Sequence, residues 1–399
     1  MRLLVVMTHY PFPPLVGSTI VAYNSMKHLS KRHHIDLVCL RPTEDLVKSP
    51  EFVKRLELVP QRQASRLAIW VRYVLYMLGG IPSSVSASAS SAMTAKVKEV
   101  IESDKFHAIL LFEMSAIQYC PPSYFKSRLI INIEDPQSLR LSRMAELSVW
   151  SFWQRAKLYA LARLSACYEN RHLPRMAKVL LLSATDMHDM RERGGYENLA
   201  RLPYGVEQRS PSEIAGYEDR ERAIIFSGSM YHPPNIDGAL FLLRDIFPLI
   251  LGQYPSAILW IVGTNPDGRI YDAAGKFRKQ VVITGNVDNV GEYIKRATVS
   301  ICPVRLGIGV QTKILEALSW GTPVVTTSAG NRGVGGVSGT HLRVEDAPDL
   351  LAKRVVELLQ GHDWSRLSEE GRRLIAERFS WEDSVAQLEN HLASLDAAN

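Results

Sequence analysis

Short, uninterrupted apolar runs alternate along this chain with longer stretches of amphipathic character. Residues 2–7 (Arg-Leu-Leu-Val-Val-Met) form the first run, and Ile35–Leu40, Ala108–Phe112, Leu129–Ile133 and Val179–Ser183 continue the series. These runs are short and show no polar alternation, which predicts strands buried on both faces. A loop, Tyr10–Thr19, separates the first strand from a helix expected to run through Leu29. Residues 145–176 read as helical and carry Arg155, Lys157, Arg163, Arg171 and Arg175. The pattern then restarts. Ala223–Gly228 is a strand ending at glycine, a helix is expected from about Asn235 to Ile250, and Ala257–Gly263, Val281–Thr284, Val299–Pro303 and Pro323–Thr326 supply further strands. A last helix is expected from Trp381 to about Leu395. Strands alternating with helices predict an α/β protein with two Rossmann-like halves around a central cleft, joined near residue 205.

Composition adds limits to this picture. A chain of 399 residues with 46% hydrophobic content can build two domains of ordinary size. The formal charge of +6 permits attraction to phosphate or anionic lipid. Cys39, Cys120, Cys167 and Cys302 are widely scattered, and no pair has metal-ligand spacing, so a reduced cytosolic chain is expected. The N-terminal apolar run is too short for a signal peptide and reads as a strand. The segment Leu67–Leu78 is too short to span a bilayer and is interrupted by Arg72. It suits either a buried helix closing the first domain or an interfacial patch around Trp70.

The richest chemistry lies in the run Arg305–Ala317, closed by Gly321-Thr322-Pro323-Val324-Val325. Gly307 and Gly309 flank Ile308, so the backbone there can approach a ligand without obstruction by a Cβ. A helix follows at once, with Ile314, Leu315, Ala317 and Leu318 apolar. Its N-terminus offers N–H groups and a positive dipole end, which suit phosphate. Lys313 adds a mobile cation, and Glu316, one turn on, can accept from both hydroxyls of a ribose. The run therefore predicts a diphosphate at the loop and a sugar at the glutamate. An ordinary strand-loop-helix unit with a surface Lys and Glu is the plainer account.

This segment resembles the donor-binding signature of family 4 retaining glycosyltransferases, in the variant R-x-G-x-G-x-x-x-K-x-x-E-A. Glu316 matches the second Glu of the usual E-x7-E, and Ile308 stands where the first would fall. Three further segments resemble the family in the expected order: Pro203-Tyr204-Gly205-Val206-Glu207, Gly228-Ser229-Met230-Tyr231-His232-Pro233-Pro234-Asn235, and Thr284-Gly285-Asn286-Val287-Asp288. The resemblance implies the GT-B fold: an acceptor-side domain over 1–205, a donor-binding domain over 206–378, and a helix over 379–399 crossing back to the first domain, anchored by Phe379 and Trp381. It implies a retaining, metal-independent enzyme that moves a sugar from a nucleotide-diphosphate sugar to a glycan or lipid-linked acceptor, in cell-envelope or exopolysaccharide synthesis. The rival readings are a GT-B sugar-nucleotide epimerase or hydrolase, and a weakly active partner subunit that binds nucleotide sugar. A dehydrogenase is disfavoured, because no G-x-G-x-x-G follows either first strand.

On the donor side the resemblance places Gly228, Ser229 and Asn235 at the diphosphate, and Gly263, Thr284 and Gly285 around the base. Gly307, Ile308, Gly309, Val310, Gln311, Thr312 and Glu316 complete that set. Helix capping is an equal account of Ser229 and Asn235. Arg305 and Lys313 are the expected catalytic cations, stabilising charge on the departing diphosphate. The chain has no D-x-D triplet, no cofactor is expected, and no metal site is expected. On the acceptor side, Gly17-Ser18 replaces the family's usual Gly-Gly, which implies an approach to the donor phosphate or the acceptor; a plain strand-helix turn is the other account. Glu134-Asp135 stands where relatives have His or His-Asp after the fourth strand, and a carboxylate there could take the acceptor's proton or steady the oxocarbenium ion. Asp135 before Pro136 also suits a helix cap. Glu113, at the end of the preceding strand, is a further candidate. Gly263–Ile270 has P-loop glycine spacing but lacks the Lys-Ser/Thr pair, and His33-His34 lacks partners at metal spacing. The expected partners are the sugar nucleotide, the acceptor and an anionic membrane touched from the cytoplasmic face; no nucleic-acid partner is expected.

Overall fold

The computed structural model describes residues 1–14, 17–41, 50–60, 71, 76, 79–147, 149–307 and 309–396. The Leu67–Leu78 segment lies almost wholly outside them. The chain forms two compact units. The first comprises Met1–Ser142, Ala156–Gly205 and Trp381–Asn399; the second comprises Arg143–Arg155 and Val206–Ser380.

The first unit is built on a parallel sheet of β1 (Arg2–Met7), β2 (His34–Leu40), β3 (Arg55–Val59), β4 (Ala108–Leu111), β5 (Leu129–Asn132), β6 (Lys178–Leu181) and β7 (Leu199–Arg201), in the order β3-β2-β1-β4-β5-β6-β7. Its central strands are sealed on both faces: Leu3, Leu4, Val5, Val6, Ile109, Leu110, Ile130 and Ile131 are all buried. Two edge strands escape the hydrophobic pattern. β3 reads Arg-Leu-Glu-Leu-Val and is only half-buried for most of its length, while β7 has three residues. The strand expected as the fourth, after which Glu134 falls, is therefore the fifth.

The second sheet contains β8 (Glu221–Ser227), β9 (Ile258–Val262), β10 (Val281–Gly285), β11 (Ala297–Cys302), β12 (Val324–Thr326) and β13 (Arg343–Val344), in the order β10-β9-β8-β11-β12-β13. All its pairings are parallel. The helices Pro233–Phe241, Phe247–Gln253 and Pro348–Leu359 cover it with Ala239, Phe247, Ile250, Leu351 and Val355. The helix expected over 235–250 is broken by a π-helical segment, Leu242–Ile246. Pro248 has no N–H to continue the α ladder, and one wider turn accommodates it.

The cation-rich helix runs over Phe152–His172 rather than 145–176. Ser151 and Gln154 define its start: Ser151 N donates to Gln154 Oε1 (2.9 Å), and Gln154 N donates to Ser151 Oγ (3.4 Å). That reciprocal pair is a capping box with Gln in the third position. The last helix, Trp381–Asp396, belongs to the first unit. There Ser384 Oγ donates to Pro203 O (2.7 Å), Tyr204 and Trp381 pack with ring centroids 5.4 Å apart, and a Cβ on Gly205 would fall 2.2 Å from the Trp381 ring. Phe379, fully buried, groups with the second unit. The cysteines are free, and Cys39, Cys120 and Cys302 are buried.

Candidate functional site

In open parallel sheets, ligands bind beyond the carboxyl ends of the strands, where the strand order reverses. In the second unit that point lies between β8 and β11. Gly228 follows β8 and Gly263 follows β9, with φ of +145° and +149°, a region that side-chain-bearing residues rarely enter. The two turns press together: a Cβ on Gly263 would lie 1.8 Å from Gly228 O. Gly263 was expected to border a base, yet its immediate role is this backbone contact.

Gly228 in turn makes room for polar side chains. A Cβ there would meet Asn235 Nδ2 at 2.9 Å and Lys313 Nζ at 3.0 Å. Lys313 donates to Asn235 Oδ1, and Asn235 Nδ2 donates to Ser229 O (3.0 Å). The helix N-cap here is His232, so the Asn235 side chain orders the turn and the lysine rather than capping. The Lys313 ammonium lies 4.8 Å from the Phe226 ring centroid. Burial lowers its pKa, while Cys302 and Glu316 act in the opposite direction. The mobile cation expected from sequence is therefore a fixed and largely desolvated one.

Lys313 sits in the first turn of the helix Thr312–Ser319, whose cap residue Gln311 makes no side-chain capping bond. The loop before it is held from below. Gly309 has φ +55°, a Cβ on Gly333 would lie 2.0 Å from Gly309 O, and a Cβ on Gly307 would lie 2.8 Å from Ala329 O. Arg143 Nη1 donates to Gly307 O at 2.7 Å. Ile308 lies outside the described residues; Val310, Gln311 and Thr312 are half-buried on the same loop.

Arg305 departs from the expectation. Its guanidinium pairs with buried Asp237 (Nη2–Oδ1 2.5 Å, Nε–Oδ2 2.9 Å) and packs 4.9 Å from the Phe241 ring centroid. Part of its charge is already balanced, so Lys313 is the better placed of the two cations. Glu316 is open to solvent although densely flanked by protein. Desolvation raises its pKa, and Arg209 and Lys313 oppose that rise. Arg209 lies 4.2 Å over the Trp320 ring. Thr284 and Gly285 end β10, with Thr284 Oγ1 donating to Gly285 O (3.0 Å) and Gly285 at φ +67°. Sequence reading missed Arg143, Arg209, Asp237 and Gly333. Asp237, two residues beyond Asn235, and Arg209, two beyond Glu207, lay next to recognised motifs; Arg143 and Gly333 did not.

In the first unit, Gly17 and Ser18 open the helix Gly17–Leu29. Glu134 follows β5 in a left-handed conformation, φ +54°, which is costly for a residue with a side chain. Its Oε2 lies 3.0 Å from where a Cβ on Gly17 would stand, and its buried Oε1 has no partner among the described residues. Burial, aided by the field of Asp135, pushes the Glu134 carboxyl up to about 8 against the pull of Arg140. It is mostly protonated at pH 7. Asp135 Oδ2 lies 3.9 Å from Arg140 Nε, and the first turn of the helix Gln137–Met144 is met by Glu169, which accepts from Ser138 N at 2.9 Å. Glu113 Oε1 contacts His9 Nδ1 at 2.9 Å. Among the described residues no three His, Cys, Asp or Glu side chains gather as a metal-ligand set.

This arrangement has recognisable company. Residues 221–361 match the family described as Glycosyl transferases group 1. The fold is similar over the whole chain to the sucrose-phosphate synthase of Thermosynechococcus elongatus (14% identity, TM-score 0.72, 100% of both chains covered). It is also similar to Anabaena HepE in complex with UDP-glucose (15%, TM-score 0.66, 98% of this chain and 99% of that one). WaaG, a glycosyltransferase involved in lipopolysaccharide biosynthesis, is a third such structure (14%, TM-score 0.64, 96% and 98%). An uncharacterized 44.6 kDa protein in the cps region of Klebsiella pneumoniae is 25% identical over 187 residues, 44% of this chain. That match spans about half the length of the relative (46%). The fold is that of two parallel-sheet Rossmann-like units with GT-B neighbours, and the matched domain supports a glycosyltransferase.

Proposed function

We propose that the protein is a retaining, metal-independent glycosyltransferase of the family 4 type, taking its sugar from a nucleoside diphosphate. The observation that carries this reading is the Lys313 ammonium, fixed by Asn235 against Phe226 beside Gly228, in the first turn of a helix without a side-chain cap. Such an ammonium and helix end favour the charge that builds on a departing diphosphate. Glu316, one turn along, is placed to accept hydroxyl hydrogens of the nucleotide or sugar. A uridine nucleotide is the first choice, because HepE is described with UDP and UDP-glucose. The cps-region relative favours an acceptor in surface-polysaccharide synthesis, either a glycan or a lipid-linked sugar.

The first test is thermal unfolding with UDP, GDP and dTDP sugars. A ligand at a hundred times its Kd adds about 2.7 kcal/mol. At roughly 2–4 °C per kcal/mol for a unit of this size, the matching nucleotide raises Tm by roughly 5–10 °C. EDTA leaves transfer unchanged and the product keeps the donor's anomeric configuration. No shift with any nucleotide would remove the reading.

We place the acceptor at an anionic membrane surface. Phe152 (74% exposed) and Trp153 (79% exposed) open a helix whose Arg155, Lys157 and Arg163 are also exposed, a combination suited to the bilayer interface. Among the described residues no helix is long and apolar enough to cross a membrane. Flotation with phosphatidylglycerol vesicles is expected to carry the protein upward, and Phe152→Ala with Trp153→Ala to abolish flotation. Equal flotation of the double variant would end this placement.

A further inference from the structure

Each sheet has two outer strands, and three of these four are poor templates for a further strand. β3 carries Arg55 and Glu57, β7 has three residues, and β13 has two. Charge and short length are common protections of a sheet edge. β10 has no such charge: it reads Val-Val-Ile-Thr-Gly, without proline. Among the described residues no strand pairs with its outer side. Leu259 N of β9 donates to Gln280 O (2.7 Å), and Val281 stands opposite Leu259 in the register. In a parallel ladder that phase turns the N–H and C=O groups of Val281 and Ile283 away from β9, toward the open side. The register shift between Ile283 and Gly285 falls at the end of the strand.

Apolar side chains remain exposed along this edge. Val282 (47% exposed) stands opposite Trp260, and Ile258 (38% exposed), two residues before Trp260, shares their face of the sheet. Val281 and Ile283 pack against the core on the other face. Outward backbone groups, β-branched residues and exposed apolar surface together make a template for strand addition.

Charge at the two ends of the strand selects the partner. Lys276, Arg278 and Lys279 precede it, Asp288 and Glu292 follow it, and all five are exposed. None of them pairs with an opposite charge among the described residues. A parallel neighbour of the same sequence would set cations beside cations and anions beside anions. An antiparallel neighbour sets the cationic end of each strand beside the anionic end of the other. The edge is therefore complementary to itself under a two-fold rotation, the relation on which isologous dimers are built.

We propose that the protein forms a homodimer in which β10 pairs with β10 of a second copy, antiparallel across a two-fold axis perpendicular to the sheet. The outward groups of Val281 and Ile283 then find partners in a ladder. The second sheet continues from one copy into the other, with Val282 and Ile258 of both copies on one face. The inference goes beyond the transferase reading and does not depend on it.

The test is sedimentation velocity of the full chain over a dilution series. Wild-type protein is expected to run at the mass of two chains and to dissociate on dilution, more readily at high salt because the end charges are exposed. Arg278→Glu with Lys279→Glu makes both ends of the edge acidic, and Asp288→Lys with Glu292→Lys makes both basic. Each double variant alone is expected to raise the dimer Kd by on the order of a hundredfold, and an equal mixture of the two to restore dimers. Val282→Lys places a charge on the exposed face of the strand and is expected to give monomers. Hydrogen exchange locates the contact: the peptide covering 279–286 exchanges more slowly in the wild-type dimer than in Val282→Lys. If a double variant fails to fold by circular dichroism, Val282→Lys and the exchange rates decide. Wild-type protein that sediments as single chains overturns the assignment. So do variants that dimerise as tightly as the wild type, folded double variants whose mixture stays monomeric, or equal exchange over 279–286.

Discussion

Lys313→Ala is expected to lower kcat for sugar transfer by roughly a hundredfold to a thousandfold, the usual cost of removing one preorganised donor from a developing anion. The lysine is the cation best placed for this work because it is desolvated, fixed by Asn235 and set in the first turn of a helix. Arg305 does not replace it, being tied to Asp237. Lys313→Met separates charge from packing: it keeps an unbranched side chain over Phe226 and leaves Asn235 Oδ1 without its donor. A melting temperature near that of the wild type with turnover lost would assign the effect to charge. The pH profile carries a second sign. Burial favours the neutral amine and lowers the pKa below 10.5, so the ammonium and the rate are lost on an alkaline limb that begins below that value. Steady-state kinetics and calorimetry with UDP check both points. Unchanged turnover and affinity in Lys313→Ala would leave the proposed donor site without its main support.

Gly263→Ala is expected to be the most damaging small substitution in the second unit. The new Cβ would stand 1.8 Å from Gly228 O at a φ of +149°, so neither backbone can keep its place. Backbone strain of about 1–3 kcal/mol adds to overpacking of about 1–3 kcal/mol. Together they lower Tm by roughly 5–20 °C at the sensitivity of a unit this size. Donor binding falls further than stability, because the displaced Gly228 also flanks Asn235 and Lys313. Gly275→Ala is the control. That glycine has right-handed φ and nothing within 4 Å of its missing Cβ, so alanine there is neutral or stabilises by about 0.4–1 kcal/mol. Thermal unfolding of both variants, with and without UDP, separates the two losses.

Much of this was legible in the residues because burial on both faces leaves a strand no polar alternation. The runs around Val5, Ile109, Ile130, Ile225 and Ile261 announced themselves in that way. β3 and β13 did not. A half-buried edge strand such as Arg55–Val59 carries charge on its open side, and two residues at 343–344 are strand only because β12 lies beside them. The capping box at Ser151 was present in sequence, but the helical pattern on either side of it hid the boundary.

The donor loop shows the same division. Local chain chemistry by itself marked Gly307, Gly309, Lys313 and Glu316, since glycine spacing and helical periodicity are properties of neighbours in sequence. Tertiary structure alone decided that Arg305 is matched by Asp237, that Lys313 is buried against Phe226, and that Gly333 lies beneath Gly309. It also brought His9 to Glu113 across 104 residues. Sequence specifies what each segment is able to form, through apolar period and backbone freedom. Which charges meet, and which are stripped of water, depends on parallel strands placing distant loops at one end of a sheet, and no local pattern encodes that distance.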